Sequence, residues 1–482
     1  MEEVAYIQGE DRTQITLFPE AVDDYITTDN PVRVIEVFVN SLNMYELGFN
    51  RTDPNVVGRP AYDPRDLLKL YLYGYMNRIR SSRRLETEAG RNLELFWLLR
   101  KLKPDFKTIA DFRKDNPKAI KGVFKQFTML CKEWELYGKQ VIAVDGSKFR
   151  ASNSKRNNFS QKKIQRQLKY IDEKISTYLN ELDRNDADEV DVHVPNEAEI
   201  KKRIEELKGR KDKYMNMQER MVVTGATEIS TTDPDARLMA ANNNGVNVSY
   251  NVQTAVDQKH KLVVDSEVIN NAADQGQLSN IAKKAKEVLE VDEIKVLADK
   301  GYYSTKDLLD CEEAQIETYV PKQRFTGNVE STEFQPDKFS YDKEQDNYLC
   351  PAGQVLYPGR TREAKGIKYR VYKNGRACQQ CLVKDQCTKS PKGRTINRNL
   401  EQDRLDEIDR RTRENKALYV QRQMIVEHPF GTVKRIWGYD CFLTRGLKSV
   451  ETENKLHFMA YNLRRVINIL GVEEIVRRLA PA

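Results

Sequence analysis

The stretch Val141–Arg150, VIAVDGSKFR, decides how the rest of the chain reads. Four apolar residues run straight into Asp145 and then Gly146-Ser147. A short apolar, β-branched run closed by a Gly-containing turn predicts a buried strand. A carboxylate on the last residue of such a strand emerges at the sheet edge, where α/β folds bind ligands. The stretch 294–304, IKVLADKGYYS, repeats the arrangement with Asp299 and Gly301. The stretch 426–434, VEHPFGTVK, sets Glu427 on an expected helix with basic residues on both sides. Three acids, two at strand ends and one on a helix, are therefore expected to converge on hard cations.

Around these stretches the chain falls into segments. Residues 1–60 form an N-terminal segment with a helix expected from Pro31 to Leu42. Residues 61–140 read as a helical domain. Asp63-Pro64 opens an i, i+4 apolar stripe through Leu67, Leu68, Tyr71, Leu72, Tyr75, Met76 and Ile79. Thr108 is expected to cap a further helix, with Asp111 favouring its N-terminus. From Arg78 to Lys114 eleven Lys or Arg stand against five acids. Short helices with such a basic exterior suggest a helix-turn-helix-like DNA reader, and a solvated bundle face is the plainer alternative. Ser160–Leu182 and Glu197–Met217 predict a long charged helical hairpin, inserted over 155–220 around the acidic loop DRNDADEVDVHVPN.

Strand patterns resume at 248–256 and 262–268 as a hairpin, followed by a helix near 275–289, the strand ending at Asp299, a helix near 305–314 and a strand at 317–320. That order describes a mixed sheet covered by helices over 141–321, completed by 413–470. Residues 322–412 interrupt it and hold Cys350, Cys378, Cys381 and Cys387.

The net charge of +7 is a weak pointer to a polyanion, and the local basic excess is a stronger one. No apolar run approaches the length of a membrane span, and the acidic N-terminus lacks the order of a signal peptide. Seven scattered cysteines argue for a reducing cytoplasm rather than a disulfide framework.

Phosphoryl transfer from DNA needs an activated oxygen, a stabilised leaving oxygen and charge neutralisation on phosphate, which two Mg²⁺ ions supply together. A few carboxylates with open positions hold such ions. In that reading Asp145 bridges both ions while Asp299 and Glu427 each hold one. A single acid at a strand end is more often a cap, and Asp233, Asp235, Asp257, Asp265 and Asp274 compete. There is no GxSxG, P-loop or GxGxxG, and His193, His260, His428 and His457 form no HExxH.

TIADFR (108–113), VDGSKFRA, STTDPDARLM, YNVQTAVD, VLADKGYYS, VEHPFGTVK and the closing YNLRR occur in the order shown by the DDE transposases of bacterial insertion sequences, which the chain resembles over most of its length. The resemblance implies an RNase H-like catalytic domain with Asp145, Asp299 and Glu427 as its metal-binding triad. The fold class expected is α/β: an RNase H-like mixed sheet flanked by helices, with an N-terminal all-helical domain, an inserted helical hairpin and a Cys-rich insertion. Tyr419, Arg422, Glu427 and Lys434 resemble the Tyr-Arg-Glu-Lys signature of one branch, with one more residue between Arg422 and Glu427 than that pattern has. Arg422 and Lys434 would then clamp phosphate.

The expected function is cleavage of transposon ends and their joining to target DNA with Mg²⁺, Mn²⁺ substituting. The expected partners are double-stranded DNA, as terminal inverted repeats and target, and a second copy of the chain. The DNA-contacting residues expected are Tyr419, Arg422, Lys434, Arg83, Arg84 and Arg113. The expected place is the bacterial cytoplasm, at the nucleoid, with no membrane contact. The alternatives are an inactive transposase-derived DNA-binding protein and a nuclease without strand transfer. Cys350 in a CPAG turn, the pair Cys378 and Cys381 in CQQC, and Cys387 suit a structural Zn²⁺ held by four thiolates. Reduced free thiols are the alternative.

Overall fold

A computed structural model describes residues 21–52, 60–185, 197–241, 245–322, 332–364 and 366–480. Residues 186–196, most of the acidic loop and with it His193, lie outside them, and residues 183–185 close the preceding helix. The chain forms two compact units, one built from residues up to 131, 149–236 and 431 onward, the other from 132–148 and 237–430.

In chain order, the first unit begins with α1 (Val32–Asn40), α2 (Pro64–Met76), α3 (Ser82–Ala89), α4 (Leu93–Leu98), α5 (Phe106–Asp115) and α6 (Pro117–Glu133, which ends just inside the second). Asp63 caps α2 by accepting from the Arg65 amide at 2.8 Å, and Pro64 takes the first position, where no amide is needed. α2 is buried on nearly every side because α1, α4 and a late helix all pack on it. α5 starts earlier than expected. Asp105, not Thr108, is its cap, accepting from the Lys107 and Thr108 amides at 3.0 Å each. A carboxylate one turn upstream outcompetes the hydroxyl, and Thr108 donates to Asp105 instead.

β1 (Val141–Arg150) is longer than its reading predicted. Asp145 lies in its middle rather than at its end. Then come β2 (Asn158–Ser160), α7 (Gln161–Asn185), α8 (Glu197–Thr224) and β3 (Glu228–Ser230). Ile164 near the start of α7 packs on Met217 and Met221 near the end of α8, so the two run antiparallel, and β2 pairs with β3 at their base.

The second unit continues with β4 (Arg237–Ala241), β5 (Gly245–Asp257), β6 (Val263–Ile269), α9 (Leu278–Leu289), β7 (Ile294–Leu297), α10 (Thr305–Glu313) and β8 (Ile316–Tyr319). The sheet order is β4-β5-β1-β7-β8, with β6 also paired to β5. β4, β5 and β6 are antiparallel, whereas β1, β7 and β8 are parallel, with Ala143 opposite Leu297 and Leu297 opposite Tyr319. α9 packs on β5 and β6, and α10 on β8. This is a mixed α/β architecture.

The cysteine-bearing segment holds an antiparallel sheet that its charged strands did not reveal: β9 (Ser340–Asp342), β10 (Asn347–Leu349), β11 (Val355–Ala364), β12 (Ile367–Lys373), α11 (Gly375–Gln379), α12 (Lys384–Cys387) and β13 (Thr395–Asn399). Phe339, Tyr348, Leu356, Tyr372 and Ile396 form its small core. α13 (Gln402–Glu414) packs on β8 and α14 (Lys416–Phe430) on β5. α14 runs into a π-helical stretch, Gly431–Ile436. The last helices, α15 (Leu447–Leu470) and α16 (Val472–Leu479), belong with the first unit, where α15 packs on α2 and α16 on α1. Among the described residues no helix is long and apolar enough to cross a membrane.

Candidate active site

All three acids of the expected triad belong to the second unit. Asp145 comes from the middle of β1, in the stretch that passes β5, where Thr254 Oγ1 donates to its carbonyl at 3.4 Å. Asp299 lies two residues past β7, at the foot of a 3-10 turn, and accepts from the Gly301 amide at 2.7 Å. β1 and β7 are neighbours, so the two carboxylates are brought to one place. Burial pushes Asp145 up to about 6. The Arg422 guanidinium opposes that rise, and Asp299 and Asp274 add to it.

Arg422 reaches this pair from α14, with Nη1 3.8 Å from Asp145 Oδ1. Tyr419, one turn earlier, is hydrogen-bonded to Arg422 and senses both aspartates. Burial raises its phenol, and Arg422 offsets part of that rise.

Glu427 does not join them. It is exposed, and its Oε1 accepts from Gln423 Nε2 at 2.8 Å. Helix phase explains the separation. Five residues from Arg422 is about 140° round an α-helix, so Glu427 shares the outer face with Gln423 and the exposed Val420 and Met424. The position that shares Arg422's face is Val426, which is buried. Among the described residues no group of three or more His, Cys, Asp or Glu side chains stands ready to hold a metal ion.

A network the sequence reading missed lies against β1. Asn251 Nδ2 and Gln253 Nε2 both donate to Asp274 Oδ1, at 2.7 and 2.9 Å, and Lys148 Nζ lies 3.1 Å from the same oxygen. Buried Tyr302 donates to Gln253 Oε1. Gly146 faces this network. A Cβ there would come within 2.4 Å of Gln253 Nε2 and 2.5 Å of Asp274 Oδ1. Gly146 is therefore a close-approach glycine inside a strand, not the turn it was read as. The signal for the network was present in YNVQTAVD, where Asn251 and Gln253 sit at period two in an otherwise apolar strand.

Of the competing acids, Asp274 belongs to the network beside Asp145, and three others hold backbone amides. Asp233 and Asp235 accept from the Gly446 and Leu447 amides at 3.1 and 2.8 Å. Asp257 is fully buried and accepts from the amides of Gly138, Lys139 and Lys259. Asp265 pairs opposite Ala255 on β6.

Of the other expected residues, Arg83 and Arg84 are exposed on α3, with Arg83 over the Phe106 ring. Arg113 donates to Tyr75 Oη at 3.1 Å and lines a hollow with Lys114, Ser152, Thr444 and Arg445. Lys434 lies over the Phe149 ring at 4.8 Å. Cys350, Cys378, Cys381 and Cys387 are free thiols that line one pocket under the small sheet. Burial raises the Cys387 thiol against the pull of Arg394, and the other three thiols add to the rise.

A testable consequence concerns pH. A carboxyl raised from 3.8 to about 6 carries an extra proton in the folded state between those values. Its contribution therefore favours folding below about pH 4 and is lost as pH rises through about 6. Asp145→Asn should stabilise the metal-free protein at pH 8 by on the order of 2 kcal/mol, discounted because about a quarter of the side chain is exposed. Thermal unfolding in chelator should show the gain shrinking towards pH 5.

Comparison with known families places two matches on the chain. Residues 20–115 match a transposase domain (DUF772), and residues 349–467 match a transposase DDE domain. The second match contains Tyr419, Arg422, Glu427 and Lys434, while Asp145 and Asp299 lie before it. No curated protein matches. Among solved structures, the cryo-EM structure of piggyBac transposase synaptic complex with hairpin DNA aligns with 94% of this chain and 79% of that one, at 8% identity and a TM-score of 0.30, too low to carry an argument. The chain thus carries matches to two transposase domains, a pair typical of bacterial insertion-sequence transposases.

Proposed function

We propose that this transposase cleaves the ends of its element and joins them to target DNA, with Asp145, Asp299 and Glu427 as its catalytic carboxylates and Mg²⁺ as its metal, Mn²⁺ substituting. The observation that carries the reading is the partly buried pair Asp145 and Asp299, which stand together with Arg422 and Tyr419 over them. Hard oxygen donors brought together from neighbouring strands are what a divalent ion requires. When bound, such ions neutralise phosphate charge and activate an oxygen. The aspartate pair suits them, but the set of three does not fit a metal pair as it stands, because Glu427 faces away. Arg422 and Tyr419 are placed to orient a phosphate over the aspartates. The sheet is proposed to be RNase H-like. Parallel β1, β7 and β8 beside an antiparallel hairpin, with helices packed on them, favour that reading.

The test is a cleavage and joining assay on the element's own flanking ends. Cleavage with joining supports a transposase, cleavage alone a nuclease, and binding alone a transposase-derived DNA-binding protein. Concerted cutting of two ends calls for two protomers, so the working form proposed is a homodimer on DNA.

For DNA contact we propose Arg83, Arg84, Arg113 and Lys434, to which the hollow adds Lys114 and Arg445. Replacing Arg83 and Arg84 with Ala should weaken binding alike on all sequences. It should also lower the slope of log affinity against log salt by about 1 per residue.

We also propose a structural Zn²⁺ at Cys350, Cys378, Cys381 and Cys387, because all four thiols line one pocket, although as placed they do not form a ready tetrahedral set. Protein purified without chelator should carry about one zinc per chain. Cys381→Ser should lower the melting temperature, and absence of zinc would remove this assignment.

A further inference from the structure

We infer that Glu427 enters the site by a one-residue change of helical register, in which the π turn now at Gly431–Ile436 moves to lie between Arg422 and Glu427. The inference rests on the proposal that Glu427 is the third catalytic carboxylate.

Three observations and the geometry of the helix carry it. Leu418, Tyr419, Arg422, Ile425, Val426 and Pro429 form the inward face of α14, and Glu427 is outside it. A π turn absorbs one extra residue, so placing it after Arg422 turns Glu427 back by about 100°. Glu427 then takes the place now held by Val426, about 40° from Arg422. The required wide turn already exists a few residues downstream, where the Trp437 amide donates to the Thr432 carbonyl at 2.9 Å, an i to i−5 bond. The ladder between the two places is already weakened, because Pro429 lies inside the helix and has no amide to give to the Ile425 carbonyl. Moving the turn therefore exchanges one irregular place for another and leaves the phase after Ile436 unchanged.

The shift also accounts for the spacing. With the turn between them, the extra residue separating Arg422 from Glu427 is consumed and both side chains face the aspartates. Without it, the exposed pair Gln423 and Glu427 is the resting arrangement.

The test uses the full chain and Mn²⁺ alone as probe, with affinity read from the electron paramagnetic resonance of free Mn²⁺. Glu427→Ala should weaken binding about tenfold or more. Adding Val426→Glu to Glu427→Ala puts a carboxylate on the inward face without any shift and should restore affinity. Deleting Met424 fixes Glu427 in the shifted register and should keep wild-type affinity. In the unaltered protein, Mn²⁺ should raise amide-exchange protection over 431–436 and lower it over 423–427. If Glu427→Ala binds weakly and neither folded variant recovers, or if exchange over both stretches is unchanged by Mn²⁺, the register shift is wrong and the triad stands. If Glu427→Ala binds Mn²⁺ like wild type, the triad itself is wrong.

Discussion

Asp145→Ala and Asp299→Ala are each expected to abolish strand cleavage on the element's ends, by roughly 10³-fold or more, while binding of the same DNA falls little. The expectation follows from placement. The two carboxylates come from β1 and from just past its parallel neighbour β7, and burial together with the nearby Asp299 charge already makes an ionised Asp145 costly in the bare protein. A divalent ion held there would relieve that cost, so losing either side chain would remove the charge neutralisation that cleavage needs and leave the basic DNA contacts in place. Glu427→Ala should lose cleavage to a similar degree. Gel assays on labelled ends with Mg²⁺ and with Mn²⁺ measure all three. Wild-type rates in the aspartate variants would remove the site from the sheet altogether.

Gly146→Ala should lower stability by about 2–4 kcal/mol and remove cleavage with it. The added methyl group meets Gln253 and Asp274 inside 2.5 Å or less and Asn251 Oδ1 at 3.0 Å. Asn251 and Gln253 are almost fully buried and have nowhere to go without breaking their bonds to Asp274. The methyl group also pushes on the backbone that carries Asp145. Thermal melts beside the cleavage assay would show both losses. A variant as stable as wild type would mean that the network yields easily and does not hold β1 in place.

The elements with strong periodicity were readable from the residues. The hairpin of β5 and β6, the helices α9 and α10 and the strand before Asp299 lie within a few residues of their expected bounds. What was not readable depends on partners distant in sequence. Gly146 looks like a turn until Gln253 and Asp274 are seen against it. The strand β11, VLYPGRTREA, is highly charged because almost all of it is exposed, so its pairing left no apolar alternation. The first and last helical segments belong to one unit through contacts between α2 and α15 that neither segment shows alone. Glu427 is the instructive case. Its five-residue distance from Arg422 was plain in the chain, but its meaning depends on whether the helix between them is regular. Here the helix is regular to Phe430 and irregular beyond it.

The central claim is that Asp145, Asp299 and Glu427 serve one metal-holding centre. Titration of the full-length protein with Mn²⁺ tests it most directly, comparing wild type with Asp145→Asn, Asp299→Asn and Glu427→Gln. Each single change should weaken the same site about tenfold or more, and the double changes should add little further loss. Affinity unchanged in any one of the three, with the protein folded, would contradict it.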